Sequence, residues 1–243
     1  MRALLSFFTT LPLRPSSLEE AARSVYLLPL VGLAAGLPGA VIVLLAYVGP
    51  PGVAATLALG AVLLVSGLHH ADGVLDVGDA LMVRGTAARR REVLKDARIG
   101  IGGLGTLFLV YAPSLAALVA LAQHSPGRAA LSLLVAETAA RSVMVLVMTF
   151  SRPAEEGSST VPFVRALKGR HRNTALVLAL LAPLVVALPL YGLAPFAVLL
   201  VPLVALVSVR LAETAFGGIS GDLVGASSEV GRAVLLVALS FTS

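Results

Sequence analysis

The sequence predicts an all-α membrane protein: a polytopic bundle of about seven transmembrane helices, with six as the smaller count, and an N-terminal segment lying at the interface. Three observations predict it. Hydrophobic residues make up 58% of the 243, charged residues only 13%, and the mean hydropathy is +0.96. A water-soluble fold of this length would lack polar surface. The apolar stretches are long and continuous, without the period-2 alternation of barrel strands. Their mass is Leu, Val and Ala, with 5% aromatic residues and no Trp, a composition suited to helices packed closely in lipid.

In chain order, Met1-Arg2 is followed by Leu4, Leu5, Phe7 and Phe8, which has the start of a signal peptide. Pro12, Arg14 and Pro15 end that run and no small-residue cleavage site follows, so an interfacial helix is expected instead. Ser17-Leu18-Glu19-Glu20 is a capping-box pattern that starts a helix. Apolar segments then fall at about 25–48, 53–70, 101–122, 129–150, 174–193, 195–215 and 223–241, each near the ~20 residues a bilayer core demands. Pro29 is expected to kink the first. Gly49-Pro50-Pro51-Gly52, His124-Ser125-Pro126-Gly127 and Tyr191-Gly192 read as tight turns. The chain thus reads as one integral membrane domain, 1–243, with long loops at about 71–99 and 151–173.

Charge sets the expected orientation. Of the 18 Lys and Arg residues, all but Arg128, Arg141 and Arg232 fall on the side of the N-terminus and the two long loops. Positive residues are retained inside, so that side is expected to be cytoplasmic, in the cell membrane. The pI of about 10.2 then reflects juxtamembrane charge facing membrane lipid or a phosphorylated substrate, and nucleic acid is not an expected partner. With no Cys, any metal must take oxygen or imidazole ligands.

Three constellations carry chemistry. In the first, Asp72, Asp76 and Asp79 stand at i, i+4 and i+7 within His69-His70-Ala71-Asp72-Gly73-Val74-Leu75-Asp76-Val77-Gly78-Asp79. At ~100° per residue they share one helix face within roughly 60°. Carboxylates gathered in this way repel unless a hard cation such as Mg²⁺ takes their oxygens, leaving positions for water and phosphate. A solvated helix end is the plainer alternative. His69 lies on the same face; His70 does not.

The second runs from Arg89-Arg90-Arg91 to Lys95-Asp96-Ala97-Arg98-Ile99-Gly100. The arginine triplet reads as a positive-inside anchor, whereas Lys95, Asp96 and Arg98 read as site residues, cations beside a metal-carboxylate cluster being suited to phosphoryl transfer. The G-x-G-x-x-G string at 100–105 lacks the strand a dinucleotide fold requires. Gly100 and Gly103 serve helix packing or the approach of a substrate phosphate to a helix N-terminus.

In the third, Gly217, Gly221 and Gly225 recur every fourth residue around Ser220 and Asp222. Packing explains the glycines but not a carboxylate among them, since a charge there is costly without a partner or a metal. Glu137 and Arg141, four apart within a span, satisfy each other as an ion pair or contact substrate.

These strings resemble, in order and spacing, the motifs of the adenosylcobinamide-GDP ribazoletransferase (cobalamin 5'-phosphate synthase) family: His70-x-Asp72-Gly73-x-x-Asp76-x-x-Asp79, Lys95-Asp96-x-Arg98-Ile99-Gly100, and Gly217-Gly218-x-Ser220-Gly221-Asp222-x-x-Gly225-Ala226. Phe8-Thr9-Thr10-Leu11-Pro12 and Pro29-Leu30-Val31-Gly32 are similar to the family's opening, so the likeness spans nearly the whole chain. Ala97 and Ser220 depart from it, where Ser and Thr are expected. The aspartate string is also similar to that of CDP-alcohol phosphotransferases.

The resemblance implies a Mg²⁺-dependent transferase that joins adenosylcobinamide-GDP to α-ribazole or its 5'-phosphate and releases GMP. Metal ligands would be Asp72, Asp76, Asp79 and Asp222. His70, Lys95, Asp96, Arg98 and Asp222 would be catalytic, and Arg141, Gly100, Gly103, Ser220 and Gly221 would contact substrate. A homo-oligomer is compatible with the sequence. The competing expectation is a secondary transporter with a polar midplane site at Glu137 and Arg141.

Overall fold

The computed structural model describes residues 1–242, and it is helical throughout, with no strand among the described residues beyond one isolated bridge between Pro153 and Ile219. The helices are α1 Arg2–Phe8, α2 Leu18–Ala22, α3 Leu28–Val43, α4 Pro51–Val65, α5 His69–Met82, α6 Ala87–Val93, α7 Ile101–His124, α8 Pro126–Phe150, α9 Val161–Lys168, α10 Arg172–Ala187, α11 Leu200–Leu211 and α12 Gly221–Ser240. Six helical stretches are long and apolar enough to cross a membrane: Val25–Tyr47, Ile101–His124, Pro126–Phe150, Arg172–Leu190, Ala194–Phe216 and Gly221–Ser240. Counting the bent pair α4 and α5 as one broken span gives seven.

Local chemistry places the helix starts. Ser17 and Glu20 form the reciprocal capping box at the start of α2. Ser125 caps α8 by accepting the N–H of Arg128 at 3.3 Å, with Pro126 in the first turn. Pro29 also falls in a first turn, that of α3, so it starts the helix and does not kink it.

Helix α8 is the hub. Its apolar window is 89% buried inside the protein, against 28% for the span Arg172–Leu190 that contains α10, so α8 has protein on all sides while α10 presents Val177, Leu181 and Val185 outward. Such exposed apolar faces belong against lipid, where they cost nothing. The chain therefore traces up-down crossings, with residues 66–100, 151–171 and 217–222 gathered at one end. At the other end Arg128 donates to the carbonyls of Leu190 and Thr242 at 2.7 and 2.8 Å, tying three connections together.

The second span departs from the sequence expectation. Instead of continuing to residue 70, α4 stops at Val65; Gly67 and Leu68 both take positive φ, +75° and +60°, and the chain turns by 91° into α5. A leucine in this left-handed region costs ~1–2 kcal/mol, and such strain often sits at functional sites. Thr10 stabilises the break, donating its N–H to the carbonyl of Val65 at 2.7 Å. The expected loop 71–99 is mostly helices α5 and α6, and α9 occupies part of 151–173.

Candidate active site

Helix α5 lies across α7 and α12, and small residues make both crossings close. A Cβ on Gly73 would sit 2.6 Å from the Asp222 carbonyl, and one on Gly103 2.7 Å from the Leu75 carbonyl. The first crossing brings the aspartates of α5 to the N-terminus of α12. Asp76 is pushed up to about 6, first by burial and then by the charges of Asp72, Asp222 and Asp79. Four carboxylates from two distant motifs thus occupy one neighbourhood.

They do not converge on a point, as one shared helix face had suggested. Asp79 turns to α7 and accepts the N–H groups of Gly100 and Gly103 at 2.7 and 2.8 Å. The N–H groups of Gly100 and Gly103, expected to serve helix packing or a substrate phosphate, here bind a carboxylate of the same chain. Among the described residues, no group of three or more His, Asp or Glu side chains stands ready to hold a metal ion.

Two cavities flank Asp222 and share Ser159, Gly221 and Asp222 as their common wall. One, of about 230 Å³, is lined by Arg91, Lys95, Glu155, Ser158 and Ser220. Lys95 pairs with Glu155 at 3.0 Å and thereby holds the Glu155 carboxyl below its usual range. Arg91 gives Nη1 to the carbonyl of Phe216 at 2.7 Å, which aims its Nε at Glu155, 3.5 Å away. The backbone that closes this cavity is pinned where Ala154 donates to the Ile219 carbonyl at 2.9 Å and Ile219 to the Arg152 carbonyl at 2.8 Å. The other cavity, of about 390 Å³, is walled by Phe7, Phe8, Phe163, His69, His70 and Met148, among others. At the seam, Ser220 caps α12 through the N–H of Leu223 and also donates to Asp222 at 3.3 Å.

Other expected site residues fall elsewhere. Asp96 and Arg98 lie on the exposed link after α6 and pair with each other at 2.7 Å, which lowers Asp96 to about 2; neither lines a cavity of the site. Arg141 has no exposed surface and lines neither cavity. It donates to Glu137 at 2.9 Å and to Ser66 at 2.8 Å. Arg232 bonds both Glu137 and Glu229, and Tyr111 donates to Glu229 at 2.7 Å. Interior charges are costly unless paired in this way. Glu137, Arg141, Glu229 and Arg232 thus pair within one interior network. His70 connects this network to the larger cavity, its Nδ1 lying 3.7 Å from Glu229.

Residues 1–240 match the sequence profile described as cobalamin-5-phosphate synthase. The chain belongs to that family. Similar to it are proteins named adenosylcobinamide-GDP ribazoletransferase from Bradyrhizobium diazoefficiens, 34% identical over 99% of this chain and 93% of the relative, and from Thermoplasma acidophilum, 32% identical over 98% and 89%. A further one, from Methanosarcina barkeri, is 30% identical over 96% and 89%. No solved structure matches the chain.

Seen as a cobalamin-5-phosphate synthase, the chain contributes residues that motif reading passed over. Arg91, read as an anchor, and Glu155, Ser158 and Ser159, in an unremarked loop, line the basic cavity. Glu155 could have been noticed, since this chain has only 13 acids.

Proposed function

We propose that this synthase-family chain transfers the cobinamide phosphoryl group of adenosylcobinamide-GDP to α-ribazole or its 5'-phosphate at Asp222, in a Mg²⁺-dependent reaction on the cytoplasmic face of the cell membrane. The observation that carries this reading is the position of Asp222, between a cavity with cationic side chains and a largely apolar one, beside Asp72 and Asp76.

The donor set suits a hard cation. Asp72 and Asp76 would hold it, and Mg²⁺ takes one or two carboxylates with substrate phosphates completing its shell, so an all-protein cage of three acids is not required. The raised pKa of Asp76 reflects burial first and then the neighbouring carboxylates, whose repulsion a cation would relieve. When bound, the ion would offset charge on the pyrophosphate. Asp79 supports this cluster from behind as the cap of α7.

Arg91 and Lys95 bind the pyrophosphate oxygens, with Lys95 exchanging Glu155 for phosphate. Asp222 orients the acceptor's ribose hydroxyl and takes its proton. The hydroxyl oxygen forms a bond to the phosphorus attached to cobinamide. The bond from that phosphorus to the GMP phosphate breaks, and GMP leaves with the electron pair. The hydroxyls of Ser158, Ser159 and Ser220, which line the same cavity as Arg91 and Lys95, would hold the equatorial oxygens.

The test uses purified protein in detergent with adenosylcobinamide-GDP, α-ribazole and Mg²⁺. GMP and the joined corrinoid should appear in equal amounts, and both should cease on chelation. Turnover that persists undiminished in chelator would remove the metal, and absence of GMP release would remove the reaction.

A further inference from the structure

The larger cavity beside Asp222 differs in kind from its neighbour. No Lys or Arg lines it, whereas Arg91 and Lys95 line the smaller one. Three aromatic rings meet at its wall: Phe7 and Phe8 from α1, and Phe163 from α9, with centroids 5.0 to 5.7 Å apart. Met144, Met148 and Val224 continue the apolar lining, and Ser159, Thr160, His69, His70, Ser66 and Asp222 supply the polar groups.

We propose that this cavity is the acceptor subsite, and that Phe7 and Phe8, backed by the buried Phe163, form a platform for the flat, weakly polar base of the acceptor nucleoside. The proposal rests on the transferase reading and assigns to it a substrate half. Base stacking on aromatic rings needs a π-face and an apolar wall. A cavity of about 390 Å³ falls within the range of small-molecule sites. Guanine is the other flat base in the reaction, but its exocyclic donors and acceptors need more polar partners than a weakly polar base does. Its diphosphate also requires cations, which the adjoining cavity holds. With the base on the platform, the ribose extends to Asp222 and the shared wall, where the donor's phosphorus arrives from the other side.

Both aromatic elements are held in place independently of ligand. The segment after α1 is fastened to the end of α4 by Thr10, whose hydroxyl also reaches the Leu64 carbonyl at 3.0 Å. Phe163 is 4% exposed, its ring tilted by 56° and 55° against those of Phe7 and Phe8. The platform therefore exists before the acceptor arrives, which limits the ordering cost of binding.

The chain has no Trp, so Phe8→Trp places a single fluorophore on the platform. Titration of this variant with a benzimidazole α-ribonucleoside should quench its emission saturably, whereas GMP or GDP should not. Phe8→Ala should raise the acceptor's KM by about tenfold, with the donor's KM within twofold, a loss in the range of one stacked base. Quenching by the guanine nucleotides and not by the nucleoside would overturn the assignment, as would a Phe8→Ala effect confined to the donor's KM. GMP release by the wild-type chain separates the two levels. Its absence would sink the transferase reading, while normal release with no response of either Phe8 variant to the nucleoside would sink the platform alone.

Discussion

The two oxygens of Asp79 accept the backbone N–H of Gly100 at 2.7 Å and that of Gly103 at 2.8 Å, so the last carboxylate of the aspartate string is the cap of α7. Free N–H groups at a helix start are stabilised by such an acceptor. Asp79→Ala should therefore lower the stability of the detergent-solubilised protein by ~1–2 kcal/mol, with Asp79→Asn recovering about half through its remaining oxygen. Thermal unfolding followed by circular dichroism measures this. If Asp79→Asn instead unfolded as wild type and lost all turnover, Asp79 would be a ligand of the site and not its support.

Asp76 gives the site a pH dependence. Its pKa rises from the ordinary carboxylate value of 3.8 to about 6 in the fold, so ionisation opposes the native state. The favourable contribution of the protonated form is complete below pH 3.8 and lost as pH rises through about 6. Metal-free protein should thus gain thermal stability between pH 7 and pH 5, and Asp76→Asn should flatten that part of the profile. Mg²⁺ should bind more tightly as pH rises through about 6, because it competes with the proton. An identical profile for wild type and Asp76→Asn would show that the four carboxylates do not share one field.

The interior ion network predicts a structural cost. Arg232 lies between Glu137 and Glu229, with a side chain 1% exposed. Arg232→Met leaves two acids without their shared cation and should cost roughly 3–5 kcal/mol. Replacing Glu137 by Gln in the same chain should recover part of that loss. Thermal unfolding in a lipid-like detergent reads both, and a loss under 1 kcal/mol for the single variant would show that the network is not held together by Arg232.

The basic loop separates two cations that the sequence treats alike. Lys95 lines the smaller cavity, whereas Arg98 is exposed and held by Asp96. Lys95→Ala should raise the donor's KM by tenfold or more, and Arg98→Ala should leave it within about twofold, in the range of exposed ion pairs. Steady-state kinetics at varied donor concentration decides this. Equal effects of the two substitutions would contradict the placement.

Much of this arrangement is legible in the sequence for physical reasons. Hydropathy sets the spans because a bilayer imposes length, and helical periodicity places Asp72, Asp76 and Asp79 on a helix, α5. The break before that helix is hidden, since Leu68 adopts a left-handed conformation that only tertiary contacts such as those of Thr10 enforce. Spacing shows that Asp79 shares a face with Asp76, but not that α7 crosses close enough to occupy it. Glu155 meets Lys95, and Phe163 meets Phe8, across long loops whose course depends on the bridge at Pro153 and Ile219. Arg141 illustrates the opposite case: a charge within a span demands a partner, and the structure supplies Glu137 together with Ser66.

The central claim is that chemistry occurs at Asp222, and the rate of GMP release by Asp222→Asn tests it most directly. The amide keeps the size and the contact with Ser220 but neither takes a proton nor carries charge. The account predicts a turnover rate lower by about two orders of magnitude or more, as loss of a general base produces, with GDP affinity and thermal stability close to wild type. A turnover rate within a few-fold of wild type in a correctly folded Asp222→Asn protein would contradict it.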